Sequence, residues 1–213
     1  MTAEDWVEAA YRAMAGGGVE AVAVEPLARK LGVTKGSFYW HFGDRKVLLE
    51  AVLGRWEKEY TEARIAAARE VADPRGRLTR LGEEVFGEVP TDDEAGLGEI
   101  LIRRTFELAV SDAADDPIVG PFLRRVTERR IGFLEECYLA LGLPEEVARN
   151  QALLAYAAYA GTVRLFRDAP DLVPRGESYA AYRRHLFLTL WPPDDAGATE
   201  KIRPLPNNDA TQI

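Results

Sequence analysis

Cysteine occurs once in these 213 residues, at Cys137, which rules out an intrachain disulfide and a cysteine-based zinc site. Such usage fits a reducing compartment, and a cytoplasmic location is expected. Histidine occurs twice, at His41 and His185; there is no HExxH pair, and a catalytic dyad is not expected of two so placed. No stretch approaches the roughly 18–20 uncharged apolar residues of a membrane span. The opening Met1–Trp6 is acidic and runs straight into a helical pattern, so no secretory leader is expected. Phosphate-loop spacings are missing. Gly16-Gly17-Gly18 follows no strand and lacks GxxxxGK[ST]. Gly176-Glu177-Ser178-Tyr179-Ala180 falls one residue short of GxSxG and also lacks its strand. Asp112, Asp115 and Asp116 read as helix caps and solvated loop rather than a cation site, and Cys137 as a small core residue. No enzymatic chemistry, metal or cofactor is expected.

Long β-branched runs are equally scarce, whereas Ala, Leu, Glu and Arg recur throughout. The composition therefore predicts an all-α protein. Trp6, Ala10, Ala13 and Met14 set a first helix over 4–15, ended by the triple glycine. Short helices follow at 25–31 and 35–39, separated by Gly32, with Thr34 as a cap. Asp44 caps a long helix over 45–71. Asp73-Pro74 and Asp116-Pro117 each start another, as does Pro144-Glu145-Glu146. Helices are predicted at 74–89, 94–110, 117–141, 144–168 and 177–191, with a polar break at 91–93, about nine helices in all. The Pro-, Asp- and Asn-rich 192–213 reads as a flexible tail.

The net charge of −8 argues against a nucleic-acid partner until its distribution is considered. Arg29, Lys30, Lys35, Arg45 and Lys46 with Asp44 give residues 29–46 a local +4, against −12 for the rest. One basic segment on an acidic body suits docking of a single face on phosphate. That segment reads as two short helices joined at Gly32, packed by Leu27, Ala28, Leu31, Val33 and Phe38. The second helix then offers Lys35, Gly36, Ser37 and Tyr39: a cation, bare backbone, a hydroxyl and a phenol for phosphates and base edges. Gly36 costs its helix about 1 kcal/mol against alanine, a cost consistent with close backbone approach to DNA.

Ala28, Gly32, Thr34, Gly36, Tyr39-Trp40-His41-Phe42 and Arg45-Lys46 together make the chain resemble the tetracycline-repressor (TetR) family over about residues 6–56. The family pattern has threonine at the start of the motif's first helix. Ala23 stands there instead, which removes one expected phosphate contact. The resemblance implies an N-terminal three-helix DNA-binding head with a helix-turn-helix (1–46) and a C-terminal helical ligand-binding and dimerisation body (47–191). It implies that Thr34, Tyr39, His41 and Arg45 hold phosphates, assisted by Lys46. Lys35, Gly36 and Ser37 face bases, and Trp40 reaches the backbone or the groove edge. It further implies a homodimer on double-stranded operator DNA, built by the last two helices through the small residues Ala152, Ala155, Ala157, Ala158, Ala160 and Gly161 and the apolar Leu153, Leu154, Val163, Leu165, Leu186 and Leu190. An unidentified small-molecule effector would release the operator by tilting the long helix that begins at Arg45. Candidate pocket residues are Trp56, Tyr60, Phe86, Phe106, Phe122, Tyr138, Tyr156 and Tyr159, since aromatic groups commonly line such cavities. A regulator without a ligand, controlled by a protein partner, remains the alternative.

Overall fold

A computed structural model of the chain describes residues 1–87 and 94–191, the side chains of 94–99 excepted. The expected tail at 192–213 and the break at 91–93 lie outside the described residues. Within them every regular element is helical: α1 (Ala3–Gly17), α2 (Val24–Leu31), α3 (Lys35–His41), α4 (Arg45–Glu57), α5 (Ala63–Arg69), α6 (Pro74–Phe86), α7 (Glu94–Asp112), α8 (Val119–Ala140), α9 (Glu145–Asp168) and α10 (Gly176–Leu190). A π-turn over Lys58–Glu62 joins α4 to α5 without a break, so these ten segments make nine rods. The sequence predicts one regular helix over 45–71. The π-turn inserts one residue, which shifts the phase of the apolar stripe but leaves no cap or helix breaker to mark it.

The helix starts follow from local chemistry. Thr2 and Asp5 close a capping box on α1, and Asp44 accepts from the Val47 N–H at 2.9 Å. Asp73 accepts from Gly76 N–H at 2.7 Å ahead of Pro74. Asp116 accepts from both Ile118 and Val119 N–H, so α8 starts at Val119 rather than at Pro117. Gly32 has a φ of 69°, and Val33 N–H reaches the Ala28 carbonyl at 3.0 Å. That left-handed exit from α2 is one that glycine takes without strain. Neither Thr34 nor Ala23 caps its helix through a side chain.

Two cores hold the rods together. The first gathers Trp6, Tyr11 and Met14 of α1, Leu27, Phe38, and Leu48, Leu49, Val52, Leu53 and Trp56 of α4, with Phe106 and Val110 of α7. It runs without interruption across residue 46, so the head packs on the body through α1 and α7. The second gathers Ile65 and Ala68 of α5, Leu78, Phe133, Leu134, Cys137 and Tyr138 of α8, Ala148, Ala152 and Ala155 of α9, and Leu190 and Trp191. Burial pushes the Cys137 thiol up to about 11, which keeps it an unreactive core residue at neutral pH. The π-turn sits where the rod leaves the first core and enters the second.

Candidate nucleic-acid interface and body cavity

Seven residues are too few for a stable isolated helix, so α3 depends on Phe38. That ring is fully buried, edge-on to Trp6 at 5.2 Å and stacked on Phe42 at 5.6 Å. Anchoring Phe38 inward turns the opposite face outward: Tyr39 is 61% exposed and Trp40 84%. Thr34, Lys35, Gly36 and Lys46 are exposed beside them, and Ser37 and His41 are half-buried. A Cβ at Gly36 would meet only the Thr34 hydroxyl at 3.5 Å, so nothing inside the free protein requires glycine there. Lys35 forms an ion pair with Glu25 of α2, and its hydrogen bond holds the Glu25 carboxyl below the usual range. Lys46 pairs with Glu50 at 3.8 Å, and His41 Nε2 lies 3.2 Å from the Met1 carbonyl.

Arg45, expected to hold a phosphate, is bonded within the free chain. Its Nε and Nη2 donate to the carbonyls of Val22 and Val19, each at 2.6 Å. The guanidinium thus ties the first turn of α4 to the loop that leads into α2. A planar fork can satisfy two carbonyls at once, and an ammonium cannot. We expect Arg45→Lys, which keeps the charge, to lose most of the operator affinity that Arg45→Ala loses. Fluorescence-anisotropy titration against operator DNA checks this. Near-normal binding by the lysine variant would return Arg45 to a simple phosphate contact.

Behind the head, a cavity of about 60 Å³ opens between the α4–α5 rod, α6, α8 and α9. Four of the eight aromatic residues expected there line it: Tyr60, Phe86, Tyr156 and Tyr159. The other four lie elsewhere. Phe106 stacks on Tyr11 at 4.2 Å in the first core, and Trp56 is buried beside it. Phe122 lies under Arg125, which pairs with Glu57. Tyr138 is buried with its hydroxyl donating to the Leu190 carbonyl at 2.9 Å. Aromatic type alone does not separate wall from core, because wall and core each hold fully and partly buried rings.

The polar wall of the cavity centres on Arg130. Its Nε donates to Thr61 Oγ1 at 3.0 Å and its Nη2 to the Tyr60 carbonyl at 3.5 Å, both within the π-turn. Its Nη1 pairs with Glu107 Oε1, whose second oxygen accepts from the Tyr159 hydroxyl. Burial alone would raise the Glu107 carboxyl, but the Arg130 guanidinium and these hydrogen bonds hold it below its ordinary value. Burial, with Glu107 nearby, raises the Tyr159 phenol, and it stays protonated. Arg130 escaped the sequence reading, yet it left a signal. It is a charged residue on the stripe of Val126, Phe133, Leu134 and Cys137, where helical spacing predicts only apolar groups. Glu25 and the Arg45 carbonyl ties left no comparable signal.

The family model described as bacterial regulatory proteins, tetR family, matches residues 7–52. ArpR, an HTH-type transcriptional regulator of Pseudomonas putida, is 33% identical over 184 residues, covering 78% of this chain and 82% of that protein. The chain belongs to the TetR family. A second relative, the HTH-type transcriptional regulator TtgR of Pseudomonas putida, is 28% identical over 181 residues, covering 78% of this chain and 80% of its own. Among solved structures, a transcriptional regulator from Rhodococcus sp. Rha1 matches with a TM-score of 0.70 at 20% identity, over 89% of this chain and 96% of that one. One from Saccharomonospora viridis, solved in complex with choline, matches with a TM-score of 0.63 at 21% identity, over 86% and 92%. These two show the fold alone. As a TetR-family member the chain is a DNA-binding transcriptional regulator and not an enzyme. Among the described residues no helix is long and apolar enough to cross a membrane.

Asp112 pairs with Arg164 at 3.4 Å and with Arg167 at 2.5 Å, and Asp116 caps α8. The small-residue face of the last helices divides in two. Ala152, Ala155, Val163 and Leu190 are buried within the chain. Leu153, Leu154, Ala157, Ala160, Gly161 and Leu165 are exposed on α9, and Leu188 is exposed on α10.

Proposed function

We propose that this TetR-family regulator is a homodimeric repressor released from its operator by a small molecule bound in the body cavity. The observation that carries the reading is one of position. Tyr60, Thr61 and Arg64 line the cavity, and they belong to the same rod whose first residue, Arg45, holds the loop ahead of α2. At about 1.5 Å per residue, the 25 residues of that rod span roughly 37 Å. A guest pressing on Tyr60 therefore moves a lever that ends at the helix-turn-helix. The exposed small and apolar residues of α9, with Leu188 of α10, serve as the dimer face, since small residues let helices of two protomers approach closely. In the dimer two α3 helices enter successive major grooves of a palindromic site, and a changed spacing between them costs affinity. Thr34, Lys35, Gly36, Ser37, Tyr39, Trp40 and Lys46 carry the DNA contacts, with His41 beside them. The bound choline of the Saccharomonospora viridis regulator supports a small-molecule role for proteins of this fold.

The experiment is a calorimetric titration of an inducing compound with and without operator DNA, on protein whose dimeric mass light scattering has established. Coupling between two sites is reciprocal. The compound must bind more weakly to the operator complex, by the same factor by which it weakens operator binding. Equal affinity in the two titrations ends the induction reading, and a monomeric mass ends the dimer.

A further inference from the structure

Glu25 is the only acidic residue from Val24 to His41, the stretch that holds both helices of the DNA-binding motif. It stands exposed in the first turn of α2 and pairs with Lys35, the first residue of α3. The two side chains are 62% and 55% exposed, so both stay open to an incoming duplex. The hydrogen bond and charge of Lys35 hold the Glu25 carboxyl below its ordinary range, which keeps it ionised at neutral pH. An acid in a first turn also suits the helix dipole. That role needs no partner on a second helix and moves no base preference.

A carboxylate brought to a duplex is repelled by the phosphates, and here it also cancels the charge that Lys35 would contribute. What the pair offers instead is a pattern, a donor held beside an acceptor. The major groove presents a carboxylate with two kinds of donor, the amino groups of cytosine and adenine. An ammonium in contact with that carboxylate needs an acceptor on a neighbouring atom. A G·C pair supplies both side by side: guanine O6 for the lysine and the cytosine N4 amino group for the acid. An A·T pair also sets a donor beside an acceptor, but the thymine methyl crowds its O4, and adenine has one acceptor where guanine has two.

Resting on the reading that α3 enters the major groove, we infer that Glu25 is a specificity-determining residue, accepting from the N4 amino group of a cytosine whose paired guanine takes Lys35. Freed of Glu25, Lys35 turns to the phosphates, which every sequence offers alike. The acid therefore lowers affinity for DNA in general and confers preference at one base pair of each half-site.

The test uses the full-length protein and begins with selection from a randomised duplex library. The parent is expected to select a G·C pair, at one position of each half-site, that Lys35→Ala and Glu25→Gln both cease to select. Anisotropy titrations then compare the selected duplex with one carrying A·T at that position. The parent should prefer G·C by at least about tenfold, the scale of one good base contact, and Glu25→Gln by less than about threefold. N4-methylcytosine keeps the pair with guanine and replaces the groove-facing amino hydrogen. It should weaken the parent by about tenfold and Glu25→Gln by less than about threefold. Unchanged base preferences in Glu25→Gln, an A·T pair selected at the position that depends on Lys35, or equal response of the two proteins to the methyl group would each overturn the inference. The underlying reading fails separately. Lys35→Ala and Tyr39→Ala proteins that select the same bases as the parent would take α3 out of the groove, whereas failure of Glu25 alone leaves their effects standing.

Discussion

The double variant Lys35→Ala, Tyr39→Ala is expected to bind operator DNA on the order of 100- to 1,000-fold more weakly while melting at the temperature of the parent. Both side chains are exposed on α3, with Tyr39 meeting only the edge of Phe38 and Lys35 only Glu25, so folding should register their loss little. Each removes one contact to DNA, and such contacts contribute about 1–3 kcal/mol apiece. The Glu25 carboxylate competes for Lys35 in the free protein. Glu25→Gln should therefore tighten binding and steepen its dependence on salt, because a further phosphate is neutralised and a further counterion released. Anisotropy titrations over a salt series measure both effects. Unchanged affinity in the double variant would move the recognition surface away from the outward face of α3.

The second large effect concerns stability. Arg130→Ala should lower the unfolding free energy by about 3–5 kcal/mol, the usual consequence of stranding one partner of a buried ion pair. The side chains of Arg130 and Glu107 are 13% and 12% exposed, so solvent offers little rescue. The pH profile identifies the cause. In the parent, the folded-state pKa of Glu107 lies below its unfolded value. Its contribution is therefore present near neutrality and is lost as acidification passes through and below the ordinary carboxylate range. In Arg130→Ala the stranded carboxyl is raised by burial instead, so its penalty is relieved on acidification. Chemical denaturation of both proteins at pH 7 and pH 5 should show the gap narrowing at the lower pH. A gap that stays constant would assign the loss to packing alone.

How much of this was legible in the sequence depended on how local the cause was. Gly32, Asp44 and the Asp73-Pro74 pair announce helix ends because a cap acts within three or four residues of itself. The head was legible for a related reason: Phe38 and Phe42 mark the inner face of α3, and Tyr39 and Trp40 follow outward by helical geometry. Some failures are local, such as the π-turn and the missing Thr34 cap, but those that shape the site are pairings over long separations. Arg45 meets the Val19 and Val22 carbonyls across more than 20 residues, and Arg130 meets Tyr60 and Thr61 across 70 and 69. Nothing in one helix's periodicity states which side chain of another will reach it. The pocket residues divided evenly for the same reason. Phe106 and Tyr159 look alike in sequence, and only the path of α1 across α7 decides that Phe106 meets Tyr11.

The π-turn has a consequence for how this rod could be edited. Ile65 lies nine residues beyond Trp56, and at about 100° per residue an unbroken α-helix would point the two in nearly opposite directions. Both are buried, at 3% and 1% exposure, one in each core. A π-turn absorbs one surplus residue and so removes about 100° of that rotation. It holds one residue more than an α-turn would, and the wider turn keeps both flanking faces on their cores. Removing one exposed residue, Lys58, would accordingly yield a plain α-helix with both faces still in phase. The same removal would shift the Tyr60 carbonyl and the Thr61 hydroxyl that Arg130 now grips. The extra residue thus sets the phase between the two cores, and Arg130 clamps the turn that holds it.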